Sequence, residues 1–446
     1  MVTNSYGARQ MSRTIENNKT LLVDGPASVV VTSGKVEVFG FDVGSTNKIV
    51  IREGKRLPFV VEEKASFTIA LGENATVEEA CGSTIPSSWA EAFKQLKIQS
   101  KPVVTMVLGT VDSGKTSFCT YLINKLVSEK KKVAILDGDL GQSDIGPPCT
   151  VAYTFVTKPI TDLFSLEAKN AFFVGVTSPS IAMEKVIEGL TSLKKEILDN
   201  NADYIIMDTD GWSEGEEAIN YKIQLVKKLN PNMVFCIQRK DELAAILNAI
   251  KNFPVVVVDS PSTIKQRSRE KRRSLRELGY IKYLRNAKVQ SIPMSWIKIE
   301  ENEFGLGKAN ADTKQARKIY EFLGMKPLRL AEFKDKICIF IGKTRWISED
   351  NRKKIEEFTG KKVVVTYKGE EEGLLIALYN AERKFLGIGM LQEVDYRRQT
   401  LKILAPVSKD ISIVTLGKVK LDKNFRESLV FTEENPPSIS TFKRLL

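Results

Sequence analysis

Eight consecutive residues, Gly109-Thr110-Val111-Asp112-Ser113-Gly114-Lys115-Thr116, fit the pattern G-x-x-x-x-G-K-S/T. A loop of this kind turns its backbone N–H groups inward around phosphates, and the helix that follows adds partial positive charge. Lys115 can then reach the β- and γ-phosphates of ATP, the Thr116 hydroxyl can join the shell of a Mg²⁺ ion, and Ser117 completes the nucleotide-binding set. A carboxylate pair comes next, in Asp137-Gly138-Asp139-Leu140-Gly141-Gln142 at the end of an apolar run. Residues two apart share one face of a strand, so both Asp side chains are expected at the phosphate crevice. There they could hold the metal shell together with Thr116, and Asp139 could accept a proton from an incoming hydroxyl. A second candidate loop, Gly342-Lys343-Thr344, has Ile337 where the first glycine would stand and is set aside as a decoy.

The chain has no histidine among its 446 residues, which excludes an imidazole base, a catalytic triad and a His-ligated metal. Any general base is a carboxylate or, failing that, Lys, Tyr or Cys.

The elements that must position these residues are legible from hydrophobic patterning. Apolar runs at 103–108, 133–137, 171–176, 204–209, 233–237 and 255–258 alternate with amphipathic stretches, which predicts a parallel sheet covered by helices. Phe118, Leu122 and Leu126 mark the buried face of the helix after the loop; Met183, Val186, Ile187, Leu190, Leu193 and Ile197 mark another. From 19 to 71, short β-prone runs punctuated by glycine predict a small all-β module, and GSTIPSSWAEAFKQL reads as a linker with a short helix. A basic helical segment occupies 264–286, and short strands return after 328. The expected architecture is α/β: a central P-loop NTPase domain with a parallel sheet (99–328), an N-terminal β-rich domain with linker (1–98) and a C-terminal β-rich domain (329–446).

Composition fits a folded chain of two or three cores, with 42% hydrophobic and 27% charged residues. A net charge of +12 favours an anionic partner, nucleic acid or a membrane face. No stretch approaches the ~18 apolar residues of a membrane span and the N-terminus has no apolar signal region, so an intracellular protein without a membrane partner is expected, cytoplasmic or, in a eukaryote, nuclear. Cys81, Cys119, Cys149, Cys236 and Cys338 are scattered and read as small core residues, with neither disulfide nor zinc implied.

Taken together, the motifs resemble those of the polynucleotide 5′-hydroxyl kinases. That family includes the RNA kinase of the eukaryotic mRNA 3′-end cleavage machinery, the pre-rRNA-processing kinase and archaeal RNA kinases. GTVDSGKT carries the family's loop aspartate at Asp112, and DGDLGQ resembles its D-x-D-x-G-Q element. The resemblance implies that Asp139 positions or activates the 5′-hydroxyl, with Gln142 nearby. Thr177-Ser178-Pro179 resembles the clasp that grips the acceptor nucleotide; by residue type alone it is also a helix-capping pair. Asp208-Thr209-Asp210-Gly211-Trp212 resembles N-T-x-G-W, whose tryptophan packs on a base, here with Asp in the first place. By itself such a tryptophan reads as core. Arg267-Ser268-Arg269-Glu270-Lys271-Arg272-Arg273 resembles the family's lid, with Arg267 and Arg272 at the spacing of its two phosphoryl-gripping arginines. A solvated basic helix face is the plainer alternative.

The implied activity is ATP- and Mg²⁺-dependent transfer of a phosphoryl group to the 5′-hydroxyl of RNA, with DNA as a further acceptor. Two rivals stand beside it, an ATP-binding scaffold of an RNA-processing complex and a P-loop hydrolase whose acceptor is water. Gln238 stands where a GTPase-type N-K-x-D element would have asparagine, so guanine selectivity is unsupported.

Overall fold

The strand Val103–Gly109 is buried at all seven positions, as a strand covered on both faces requires. In this computed structural model, which describes residues 2–3, 9–45, 47–300 and 314–430, it lies inside a seven-stranded sheet. The order is Asn170–Phe173, Thr150–Val156, Val133–Gly138, Tyr204–Thr209, Val103–Gly109, Met233–Gln238, Val255–Asp259. The last five run parallel. The strand that feeds the phosphate loop is therefore flanked by Tyr204–Thr209, not by the next strand in sequence.

The expected parallel sheet also takes in one antiparallel strand near its edge. Thr150–Val156, which patterning did not pick out as a strand, pairs antiparallel with both Val133–Gly138 and Asn170–Phe173. A parallel return needs a crossover of a dozen or more residues, usually a helix. The connection from Gly138 to Thr150 is shorter and holds no helix, so the chain comes back antiparallel.

Helices Lys115–Ser128 and Met183–Asp199 bury the expected apolar faces, with Phe118, Leu122, Leu126, Val186, Leu190 and Ile197 all within the core. The helix Ser87–Lys97 is more than a linker. Its Trp89 is fully buried, 5.1 Å from the Phe118 ring and 5.6 Å from Tyr121, and its indole N–H donates to the Asp259 carbonyl at 3.0 Å. The N-terminal β module forms an eight-stranded antiparallel sheet around the long strand Arg56–Leu71, whose alternating buried positions include Phe59, Phe67 and Ile69. By contact density this module and the sheet above form one compact unit, residues 1–174 and 178–276.

The second unit comprises, among the described residues, 175–177, 277–300 and 314–430. Its boundary differs from the 328/329 division expected from patterning. Lys288–Pro293 and Lys298–Glu300 already pair with the C-terminal strands Thr400–Ala405 and Ile413–Leu421, so the segment before 301 adds to the C-terminal sheet. A three-stranded sheet, Arg329–Glu332, Lys336–Ile341 and Lys362–Tyr367, carries helices Lys314–Leu323 and Glu349–Thr359 against a core that includes Ile319, Ile337, Ile339 and Ile355. The decoy Lys343 and Thr344 lie exposed in the turn after Lys336–Ile341.

Four cysteines are buried, but Cys81 is exposed, contrary to expectation. It ends Val77–Cys81, an edge strand that pairs only with Lys19–Asp24 and turns its other side outward. Among the described residues, no helix is long and apolar enough to cross a membrane.

Candidate phosphoryl-transfer site

The phosphate loop leaves the centre of the sheet after Gly109 and enters the helix Lys115–Ser128 through Gly114, which caps it in the left-handed region at φ 99°. The Lys115 ammonium is buried and donates to the carbonyls of Gly109 (3.0 Å) and Thr110 (2.7 Å). Ser113 Oγ is buried with no hydrogen-bond partner. A buried hydroxyl left in this state is costly unless a polar partner arrives, and an oxyanion supplies one.

The most informative carboxylate is Asp208, at the end of the strand adjacent to the loop strand. Thr116 Oγ1 donates to its Oδ2 at 2.7 Å, while its Oδ1 is buried and unpaired. Sequence reasoning gave Asp208 no role beyond a departure from asparagine, yet the signal was present in the apolar run Tyr-Ile-Ile-Met ending in Asp. Burial above all, then the Asp139 and Asp144 carboxylates, raise its pKa from 3.8 to about 6, against the opposing pull of Lys115 and the Thr116 hydroxyl. A carboxyl whose folded pKa is raised favours folding while protonated; that contribution is complete below 3.8 and is lost as pH rises through about 6. Asp208→Asn is therefore expected to raise the melting temperature of the ligand-free protein near neutrality, with the gain shrinking in acid, while turnover falls. Thermal melts across that pH range check the first part; a variant less stable than wild type at neutrality would contradict it.

Asp137, expected to help hold the metal, has both carboxylate oxygens engaged by the chain itself. Its Oδ2 accepts from Ser143 Oγ (3.0 Å) and from the amides of Asp144 (2.8 Å) and Ile145 (3.2 Å), and its Oδ1 accepts from the Asp139 amide at 3.1 Å. Those bonds commit the carboxylate to folding the loop 139–149. Asp139 is freer: its Oδ1 accepts from the amides of Gly141 (3.0 Å) and Gln142 (2.9 Å), leaving Oδ2 outside the turn. Burial, then the nearby Asp210 carboxylate, raise the Asp139 pKa, and Lys115 opposes them. A carboxylate with a raised pKa is a better proton acceptor than an ordinary one.

The basic segment docks on the loop. Asp112, at φ 55°, uses Oδ2 to accept from the Arg267 amide (2.9 Å) and from Arg272 Nη2 (3.2 Å). Arg272 Nη2 also donates to the Arg267 carbonyl at 2.7 Å, and its Nε is buried without a partner. Gln142 Nε2 donates to the Arg272 carbonyl at 3.0 Å, so the acidic loop and the basic segment meet. Helix Arg269–Leu284 begins two residues after Arg267. A purely solvated face would not place a guanidinium against the phosphate loop.

Trp212 is half-buried, its ring 5.7 Å from that of Tyr221. Beneath it, Asp210 accepts from the Trp212 amide (2.9 Å), pairs with the buried Lys222 ammonium (2.9 Å) and accepts from the Tyr221 hydroxyl (3.3 Å). Gly211 lies so close to the loop that a Cβ there would come within 2.7 Å of the Val111 backbone. Trp212 thus packs beside Tyr221 and is still partly exposed. Trp212→Ala is expected to weaken oligonucleotide binding by about 1–3 kcal/mol with ATP affinity kept. A lowered melting temperature with unchanged oligonucleotide affinity would mean that the ring is only core.

Ser178 acts as the cap that residue type alone suggested: its hydroxyl accepts from the Ser180 amide and opens the short turn Pro179–Ile181. Thr177, half-buried, directly precedes it.

Residues 109–286 match a family model described as the mRNA cleavage and polyadenylation factor CLP1 P-loop. A protein of Methanocaldococcus jannaschii named polyribonucleotide 5′-hydroxyl-kinase is 29% identical over 352 residues, covering 77% of this chain and 94% of that protein. One of the same name from Pyrococcus furiosus is 26% identical over 357 residues, covering 78% and 96%. A chain of the solved wild-type Clp1p–Pcf11p complex shares the fold, with a TM-score of 0.64 at 14% identity over 94% of this chain and 99% of its own length. The likeness to the CLP1 P-loop family thus rests on residues 109–286, and the likeness to the named kinases extends over about three quarters of the chain.

Proposed function

We propose that this chain is an ATP-dependent polynucleotide 5′-hydroxyl kinase that passes the γ-phosphate of ATP to the 5′-hydroxyl of RNA in RNA processing or repair, with DNA as a further acceptor. The observation that carries this reading is the meeting of three parts at one place. Lys115 and Thr116 line a phosphate loop, Arg272 reaches that loop through Asp112, and Asp139 stands beside it in the acidic turn. The curated relatives bear the name of this activity over most of the chain.

Mg²⁺ fits the residues present. Among the described residues no cluster of three metal-binding side chains forms a cage. Magnesium needs none, since it keeps several waters and takes one or two protein oxygens beside substrate phosphates. Thr116 Oγ1 and the unpaired Oδ1 of Asp208 are suitable donors. When bound there, the ion would help to neutralise the charge of the phosphates. Everything else falls to the chain itself. Loop amides and Lys115 orient the triphosphate, Asp139 takes the proton of the incoming hydroxyl, Trp212 and Gln142 hold the acceptor end, and Arg267 and Arg272 close on the transferring group.

The scaffold and hydrolase alternatives are separated by one assay. With radiolabelled ATP, 5′-hydroxyl RNA, 5′-hydroxyl DNA or no acceptor, the label is expected on oligonucleotide ends. Label released only as inorganic phosphate would favour a hydrolase, and retention in ATP would favour a scaffold.

A further inference from the structure

The turn 52–55 of the N-terminal β module contacts both the acidic loop and the basic segment. Arg52 is mostly buried and spans two carboxylates: its Nε donates to Asp162 Oδ2 at 2.6 Å and its Nη2 to Asp144 Oδ1. Lys55, itself buried, lies 3.5 Å from Asp162 and 4.0 Å from Asp144. A planar guanidinium fork holds two carboxylates in fixed directions, which an ammonium does less strictly. Asp144 belongs to the acidic loop, and its amide donates to Asp137, whose other oxygen accepts from the Asp139 amide. Arg52 is thus three hydrogen bonds from the backbone of the proposed base.

The second arm runs to the lid. The Gly54 carbonyl accepts from Arg267 Nη2 at 3.0 Å, Glu53 pairs with Lys271, and Leu275 packs on Gly54. Gly54 has φ 75°, and a Cβ there would sit 3.0 Å from Leu275 Cδ2 and 3.3 Å from Lys271 Cε. The approach to the lid is tied to the same module: Arg56 Nη1 donates to the Thr263 carbonyl at 3.3 Å and Lys265 pairs with Asp24 at 2.8 Å. Asp112 fixes the amide of Arg267 and Gly54 fixes its guanidinium, so the side chain is held from both ends.

We propose that the turn 52–55 is a positioning element for phosphoryl transfer, setting the acidic loop through Arg52 and the lid through Gly54. The N-terminal module then acts on the reaction without touching the reacting atoms. The kinetic part rests on the kinase reading above; the structural part does not.

The test uses the full chain as wild type, Arg52→Ala, Arg52→Lys, Gly54→Ala and the control Lys19→Ala, which removes an exposed pair with Glu79 on the same module. Hydrogen exchange is followed in segments 139–149 and 263–276, and steady-state kinetics alongside. Arg52→Ala is expected to speed exchange in both segments and lower kcat by about tenfold or more with a smaller change in the KM for ATP, since small misplacements cost rate before binding. Arg52→Lys, which keeps the charge but loses the fork, is expected to fall between. Gly54→Ala, which disturbs the second arm and leaves the Arg52 ion pairs in place should Arg52→Ala fold poorly, is expected to loosen 263–276 alone and to lower kcat. The proposal is overturned if a folded Arg52→Ala or Gly54→Ala protein keeps wild-type exchange in these segments and wild-type kcat. It is also overturned if exchange rises evenly across the N-terminal sheet with no preference for them. A wild-type protein that transfers no phosphate defeats the kinase reading, while the exchange comparison still decides whether the turn holds both segments.

Discussion

Replacing Arg272 with alanine is expected to lower turnover by on the order of 10³-fold, with far smaller changes in affinity for ATP or RNA. The guanidinium reaches the phosphate loop through Asp112, and its buried Nε has no protein partner. A donor so placed gains most from charge that develops on the transferring group, so its loss raises the barrier more than it weakens the ground state. Arg267→Ala is expected to act in the same direction. Lysine at either position should rescue only in part, because an ammonium keeps the charge but not the planar fork. Single-turnover rates and the salt dependence of RNA binding, measured on the same variants, separate the readings. If the segment only tracks the RNA backbone, affinity and its salt slope fall while kcat at saturating RNA stays near wild type. That result in both variants would sink the lid assignment.

Lys115→Ala is expected to abolish transfer outright. Two losses combine. The mutant lacks the cation that reaches the β- and γ-phosphates. It also lacks the charge that opposes the upward pull on the carboxyl groups of Asp208 and Asp139, which are then more readily protonated. The fold should survive, because the side chain gives up two hydrogen bonds to the loop carbonyls and no apolar packing of comparable worth. Each such bond contributes only about 0.5–1.5 kcal/mol net. Activity and a melting curve on one preparation decide the matter: a well-folded Lys115→Ala protein with full kinase activity is incompatible with the assigned site.

Both predictions concern residues that a linear reading could find, and the reason is local. The phosphate loop is contiguous, its glycines and lysine sit at fixed offsets, and a strand before and a helix after are visible in hydrophobic period. The basic segment is equally continuous, so the spacing of Arg267 and Arg272 could be read off directly. Six of the sheet's seven strands and the faces of helices Lys115–Ser128 and Met183–Asp199 followed from the same patterning.

Pairing across the sheet was not legible, and it decided the rest. Sequence order put Asp137 and Asp139 nearest to the loop, but sheet order inserts Tyr204–Thr209 between them and the loop strand, so Asp208 meets Thr116. Asp137 and Asp208 are both acids at strand ends, and no property of either residue alone distinguishes a loop-folding carboxylate from one left with an open oxygen. The same holds for Arg52, which in sequence is one basic residue in a β-rich module far from any motif. Its partners, Asp144 and Asp162, lie some ninety and more positions away, and only the folded chain brings them together. Motifs are local because phosphates are gripped by adjacent backbone groups. The carboxylates and struts around them are not, because a parallel sheet assembles its crevice from strand ends that are distant in sequence.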